Sequence, residues 1–362
     1  MNERLRSVGA ALVPPLVAVV AALAATSLVI VVSGGSAVDF LRALVSMPSE
    51  RALLTIVNQA SMLTIAGLAA AIGFRMGLFN IGVEGQYIVG SCAGAFFAGS
   101  GLVAGPLNIL ATLVVAALAG ALYASVAGVL KVFRGVSEVI SAIMLNYIAF
   151  TMAGYLVTTY GEKRGLTYAT APLPLDSQPL GFAIFPGVDA DVWALATLAA
   201  ILGVGYWFLL AKTRFGFDLR ATGASPSAAR ASGVDVEKMT LVTMALSGGV
   251  AGLVWMPAYF GSVHAFGVPE YFQAGLGFLG LAVALLGRNQ AVGVVFAALL
   301  FAFMSGQSNA LQRADVSKDV IDITQGAIVL AVVVAYEVVG RRRARAEAER
   351  VSRALEREEV AA

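Results

Sequence analysis

The sequence predicts an all-α, polytopic membrane protein of about ten transmembrane segments, some of them broken or short. Three observations predict it. Of its 362 residues, 59% are hydrophobic and 13% charged, with a mean hydropathy of +0.84, whereas a soluble domain carries about 25% charged residues. Apolar stretches recur from residue 8 to residue 340 at lengths near that of a bilayer core, so lipid must solvate much of the chain. Two of these stretches are cut by polar, glycine-rich sequence that a lipid-facing helix cannot accommodate.

The first element is residues 8–32. The basic residues Arg4 and Arg6 before it imitate a secretory signal, but a signal has an apolar core of roughly 7–15 residues, and this run has the length of a full span. Pro14 and Pro15 fall near its start, where proline is best tolerated. A retained first span is therefore expected. Further spans are expected at 53–73, 86–102, 107–130, 139–160 and 192–211. They continue at 239–260, a short one at 275–287, then 292–308 and 320–339. Ten crossings return both termini to one side.

Lysine and arginine choose that side, because cytoplasmic loops retain them. With the amino terminus inside, inner segments hold Arg75, Lys131, Arg134, Lys212, Arg214, Arg220, Arg230, Lys238, Arg288 and the basic start of the tail at Arg341. Outer segments hold Arg42, Arg51, Lys163, Arg164, Arg313 and Lys318. Both termini are thus expected in the cytoplasm. The organisation is a membrane domain over 1–340, whose largest inner loop is 212–238, and a charged cytoplasmic tail over 341–362. The outer segment 161–191 carries Pro172, Pro174, Pro179 and Pro186 and reads as an extended or irregular connection.

The first break, 73–86, reads GFRMGLFNIGVEGQ. Gly77, Gly82 and Gly85 permit backbone that a helix interior penalises, and the amides so freed must be satisfied by protein or water at membrane depth. Asn80, Glu84 and Gln86 stand beside that backbone, and an ionisable residue in such a setting is a functional candidate. Glu84 also suits a plainer role, capping the helix that begins near Gln86. Asn58, Gln59 and Asn146 lie inside expected spans, where a buried amide commonly bonds helix to helix. These six residues are the candidate translocation pathway. The second break follows 275–287 at Gly287-Arg288-Asn289-Gln290. Interrupted segments in corresponding halves are a sequence signature of transporters with internal repeats, so two repeats are expected.

In the inner loop, Ser225 is placed to N-cap a short helix with Pro226 at its first position, and Gly233 to stop it after about two turns. Flanked by Arg220 and Lys238, it offers a ridge that a cytoplasmic partner can grip. The chain has no phosphate-binding Gly-x-x-x-x-Gly-Lys-Ser/Thr loop, because the one lysine followed by Ser or Thr, Lys212, follows Ala211. A lone cysteine, Cys92, provides no disulfide within the chain, and the single His264 provides no metal cluster. A net charge of +2 gives no reason to expect nucleic acid. No catalytic constellation is legible.

The segment GLFNIGVEGQ at 77–86 resembles the signature of inner-membrane permease subunits of ATP-binding-cassette (ABC) importers for nucleosides and simple sugars. These lie within the wider branched-chain amino-acid and ribose permease family. Residues 221–233 resemble that family's coupling segment, and GLAVALLGRNQAVGVVFAALLFAFMSG at 280–306 its late-span signature, although relatives often have a proline near 288–291. The resemblance implies half of a translocation pathway, with no cofactor on this chain and ATP-Mg on partner subunits. It implies cytoplasmic ATPase subunits, a second, related permease subunit forming a heterodimer, and an extracytoplasmic substrate-binding protein. Gly223, Ala224, Ser225, Pro226, Ala229, Arg230 and Gly233 correspond to the coupling pattern. Nucleosides are the expected cargo; a pentose or a branched-chain amino acid is the alternative, and an ion-coupled secondary transporter the less favoured class.

Overall fold

The computed structural model describes residues 19–28, 30–32, 36–267, 272–313, 317, 320–328, 330, 331 and 334. Much of the expected first span at 8–32, most of the last at 320–339 and the whole tail at 341–362 lie outside the described residues. The chain forms two compact units, 48–306 and a smaller one pairing 1–47 with 307–362. In the smaller unit, helix α1 (Ala37–Leu44) is N-capped by Ser36, and Gln307 Nε2 donates to the Leu44 and Ser46 carbonyls at 3.0 and 2.6 Å, beside helix α12 (Ser308–Arg313).

The larger unit runs α2 (Glu50–Arg75), α3 (Val83–Gly99), α4 (Gly105–Arg134), α5 (Glu138–Tyr160), a hairpin of β1 (Glu162–Arg164) and β2 (Thr167–Ala169), α6 (Thr197–Lys212), α7 (Arg214–Ala224), α8 (Pro226–Ala231), α9 (Val236–Gly252), α10 (Leu276–Leu286) and α11 (Ala291–Gly306). Among the described residues, five helical stretches are long and apolar enough to cross a membrane: Glu50–Arg75, Gly105–Arg134, Glu138–Tyr160, Ala194–Lys212 and Val236–Val263. The other expected crossings within this unit fall on the shorter helices α3, α10 and α11. The class is not strictly all-α. The antiparallel hairpin pairs Glu162 with Ala169 and turns at Gly165, whose φ of +61° a side chain would disfavour.

Helix α4 shows why these elements need lipid. Its buried residues Asn108, Thr112, Ala116, Gly120, Ala124 and Gly128 recur every four positions and are small or polar. Leu107, Leu110, Val114, Leu118 and Leu122 lie on the other side and are more than half exposed. A soluble helix reverses this distribution. In a bilayer, association comes from close packing of small residues while leucine faces acyl chains.

The small face lets backbones touch. A Cβ built at Gly252 of α9 would lie 2.2 Å from the Ala116 carbonyl oxygen, and one at Gly120 would lie 2.3 Å from that of Gly248. Gly90 of α3 meets Gly252 at the same crossing, where its Cβ would fall 2.5 Å from the Gly252 Cα. Three helices thus share one contact. On the far side, α10 lies across α2 at Gly280 and Ala66, and Gly67 receives Val283 of α10 and Val294 of α11.

Gly252→Ala puts a methyl against backbone that cannot yield and is expected to cost about 1–3 kcal/mol. Gly205→Ala, in the open space beside α6, leaves stability unchanged. Thermal unfolding in detergent checks the pair, and equal melting temperatures for both variants would contradict the crossing.

Candidate functional site

The first break is a compact loop whose freed backbone groups are met by side chains. Helix α2 ends at Arg75, Gly77 turns the chain with φ +75°, and α3 begins after Gly82. Asn80, fully buried, accepts from the Gly82 amide at 3.1 Å and exchanges two hydrogen bonds with Gln86, Nδ2 to Oε1 at 2.9 Å and Nε2 to Oδ1 at 2.8 Å. Its Nδ2 also donates to Ser247 Oγ at 2.8 Å, and that hydroxyl donates to the Ala69 carbonyl at 2.6 Å. Asn146 of α5 accepts from the Gly85 amide at 2.8 Å and donates to the Ile81 carbonyl at 3.1 Å. Irregular backbone within a bundle survives only with such partners.

Glu84 does not cap its own helix, which corrects the plainer sequence reading. Its Oε1 accepts from the Gly275 amide at 2.7 Å and its Oε2 from the Gly277 amide at 2.8 Å. These are first-turn amides of α10, in the second broken segment. The fit is close enough that a Cβ at Gly277 would fall 2.4 Å from the Glu84 nitrogen. Tyr87 OH lies 3.0 Å from Glu84 Oε1 and 2.7 Å from the Gln273 carbonyl, its proton shared between them.

The other end of α10 is held from the same segment. Past Gly287 the chain reverses through two successive left-handed residues, Arg288 and Asn289, with φ of +56° and +54°, a corner built without proline. Arg75 Nε donates to the Asn289 carbonyl at 2.9 Å, and Tyr206 OH of α6 donates to the same oxygen at 2.7 Å. Residues 75–84 therefore bracket α10, Arg75 at its C-terminal end and Glu84 at its N-terminal end.

Two predicted pathway residues lie elsewhere. Asn58 fastens the connection after the hairpin, donating to the Asp191 carbonyl and accepting from the Trp193 amide, both at 2.9 Å. Its neighbour Gln59 is half-buried, and its amide makes no hydrogen bond among the described residues. Asn80 and Gln86 thus form one buried group with Ser247, Glu84 and Asn146 fasten the same segment to α10 and α5, and Asn58 and Gln59 lie apart from it. Sequence reasoning missed Arg75, Tyr87, Ser247 and Asn289 as partners of this segment. Only Arg75, charged at the edge of a break, gave a local signal.

The loop 212–238 folds as two short helices. Thr213 caps α7 by accepting from the Gly216 amide at 3.0 Å, and Arg220 Nη1 donates to the Leu210 carbonyl, which folds α7 back against α6. Ser225 caps α8 by accepting from the Ala228 amide at 3.3 Å, Pro226 is its first residue, and Gly233 at φ +85° ends the turn. Pro226 and Arg230 are exposed, whereas Ala229 is buried. A groove of about 730 Å³ runs between α7, α8 and the start of α9, lined by Phe217, Ala221, Ala228 and Val242 among others. Gly223 packs on the end of α2, its Cβ position 2.3 Å from the Arg75 carbonyl oxygen, so this ridge abuts the first break.

Lipid-facing helices, two broken segments locked together inside the bundle, and an external ridge resting on one of them define an integral-membrane transport protein. The match to the family model for the permease component of the branched-chain amino acid transport system covers residues 52–333, and the chain belongs to that family. It is 36% identical over 346 residues to the guanosine ABC transporter permease protein NupP of Bacillus subtilis, covering 90% of this chain and 94% of the relative. It is 27% identical over 297 residues to the nucleoside ABC transporter permease protein NupB of Lactococcus lactis, covering 80% and 81%. Against the glucose ABC transporter permease protein TsgB13 of Haloferax volcanii it is 29% identical over 330 residues, covering 87% and 85%. No solved structure matches the chain. It is a transport component rather than an enzyme.

Glu84→Ala leaves the Gly275 and Gly277 amides buried without their acceptor, at about 1–3 kcal/mol each. A fall in melting temperature larger than that of Asn58→Ala is the expected outcome of unfolding in detergent. Wild-type stability for Glu84→Ala would remove the bracket.

Proposed function

We propose that this chain forms half of the translocation pathway of an ABC importer that carries nucleosides across the cytoplasmic membrane. The observation that carries the reading is the 36% identity to a guanosine permease across 90% of the chain. The glucose permease at 29% identity favours a sugar as the second reading for cargo.

In this reading the chain makes about ten crossings in two related halves, with both termini and the 212–238 loop in the cytoplasm. The basic balance of the loops supports that orientation. Cytoplasmic ATPase subunits, which carry ATP-Mg, grip the ridge formed by Gly223, Ala224, Ser225, Pro226, Ala229, Arg230 and Gly233. A substrate-binding protein delivers cargo at the hairpin end, and a second, related permease subunit completes the path.

The contact of Gly223 with Arg75 gives this assembly a mechanical route. A displacement of α7 and α8 meets the end of α2 first, and Arg75 and Glu84 then carry it to both ends of α10. Among the pathway candidates, Gln59 has the free amide suited to an uncharged polar solute, while Asn58, Asn80, Glu84, Gln86 and Asn146 act on cargo through the shape they hold.

Arg230→Glu reverses a charge on an exposed surface and should leave the fold intact. With the chain reconstituted in vesicles beside its partner subunits, wild type is expected to take up radiolabelled guanosine on addition of ATP, and Arg230→Glu to take up less than about a tenth as much. Equal uptake by the variant would remove Arg230 from the coupling surface. Glucose uptake in place of guanosine would transfer the cargo assignment to the second reading.

A further inference from the structure

Beyond Glu84, toward the hairpin, three aromatic rings converge on a single side chain, Phe272. Phe272 stacks on Tyr87 with centroids 5.1 Å apart and planes at 20°. Trp255 leans on it at 5.6 Å and 54°, and Phe266 meets it edge-on at 5.4 Å and 66°. Tyr259, one helical turn beyond Trp255, packs edge-on against Phe260 at 5.2 Å. The segment after the hairpin lies over this cluster. The Thr170 amide donates to the Phe266 carbonyl at 2.8 Å, Thr170 Oγ1 accepts from the Phe266 amide at 3.0 Å, and the Leu173 amide donates to the His264 carbonyl at 2.8 Å.

Two members of this region carry polar atoms that apolar packing does not require. Trp255 Nε1 and Tyr259 OH are fully enclosed and have no hydrogen-bond partner among the described residues, in residues only 5% and 0% exposed. A buried donor without an acceptor is costly, and buried tryptophan and tyrosine ordinarily find one. At Tyr259, phenylalanine would fill nearly the same volume without that cost. Tyr87 OH and Glu84 beside them are matched, whereas the Ser91 hydroxyl, one turn along α3 from Tyr87, is not. The two vacant donors therefore mark a place where an acceptor arrives in another state of the protein.

We propose that this cluster is the cargo-receiving site of the pathway, and that it recognises the nucleobase. The proposal rests on the nucleoside reading above and deepens it by assigning the contacts. A flat base with ring-nitrogen and carbonyl acceptors replaces Phe272 against the Tyr87 face, and Trp255 Nε1–H and Tyr259 O–H donate to its edge. Phe272 is then the stand-in that closes the path when no cargo is present. It precedes the α10 amides held by Glu84 by three and five residues, so its displacement loads directly onto the bracketed helix. Each base has a flat π-face to lay against this stack, and stacking of a base on an aromatic side chain is worth about 1–3 kcal/mol.

The test uses the assembled importer in vesicles, with 8-azidoguanosine as photoprobe during ATP-driven turnover and peptide mapping by mass spectrometry. Adducts on the peptides holding Tyr87 or Trp255–Tyr259 are expected. Tyr259→Phe removes one donor and keeps the ring, Trp255→Phe removes the other with a smaller ring, and each is expected to lower the saturating rate of guanosine uptake about fivefold to tenfold, with the half-saturating concentration unchanged. A role in packing alone would move the melting temperature rather than this split. Guanosine uptake by wild type with labelling elsewhere, and with both variants at wild-type rate, overturns the site and leaves the nucleoside reading standing. Failure of wild type to take up any nucleoside overturns that reading itself. Should either variant misfold, the labelling pattern on wild type decides alone.

Discussion

Two side chains that flank one short loop hold both ends of a helix nearly two hundred residues away, and the interior is arranged around that grip. Helix α10 has 11 residues, which at 1.5 Å per residue is about 16 Å and roughly half a bilayer core. At least one of its ends must then lie where water cannot satisfy it. Its first amides need an acceptor and its last carbonyls a donor. Glu84 supplies the first, and Arg75, with Tyr206, serves the carbonyl of Asn289 just beyond the second. The break at 76–82 is the means by which one strand of chain reaches both ends.

The break in turn needs its own support, and the bundle provides it. Asn80, Gln86, Ser247 and Asn146 close the backbone groups that an interrupted helix leaves open. They can reach because glycines at 90, 120, 248 and 252 bring α3, α4 and α9 into backbone contact. Small residues at a four-residue spacing, buried polar amides and half-length helices are thus parts of one arrangement. Gly223 at the edge of the ridge touches this arrangement at Arg75, the residue that serves the C-terminal end of α10.

Much of this was legible in the sequence. Apolar run length located α2, α4 and α5 to within a few residues, because solvation by lipid imposes a length that composition reveals directly. Ser225, Pro226 and Gly233 announced α8, since caps act within a few residues. Both breaks were visible from glycine and polar content alone. What could not be read was which distant group each polar residue meets. Glu84 looked like a cap for the helix it belongs to, and its actual partners, Gly275 and Gly277, are 191 and 193 residues away. Asn58 looked like a pathway amide and instead pins the connection at Asp191 and Trp193. The hairpin at 162–169 hid inside a proline-rich loop, being too short to show an alternating pattern. Trp255 and Tyr259 were masked by the apolar run that contains them, where an unpaired indole or phenol looks no different from a packed one.

The central claim is that Glu84 closes the N-terminus of α10. Amide hydrogen exchange followed by mass spectrometry on the peptide spanning 272–280, in wild type and in Glu84→Ala, tests it most directly. Slow exchange is expected at Gly275 and Gly277 in wild type, and exchange faster by at least about tenfold in the variant, the factor that about 1.4 kcal/mol of lost protection produces. Equal exchange in the two proteins would contradict it.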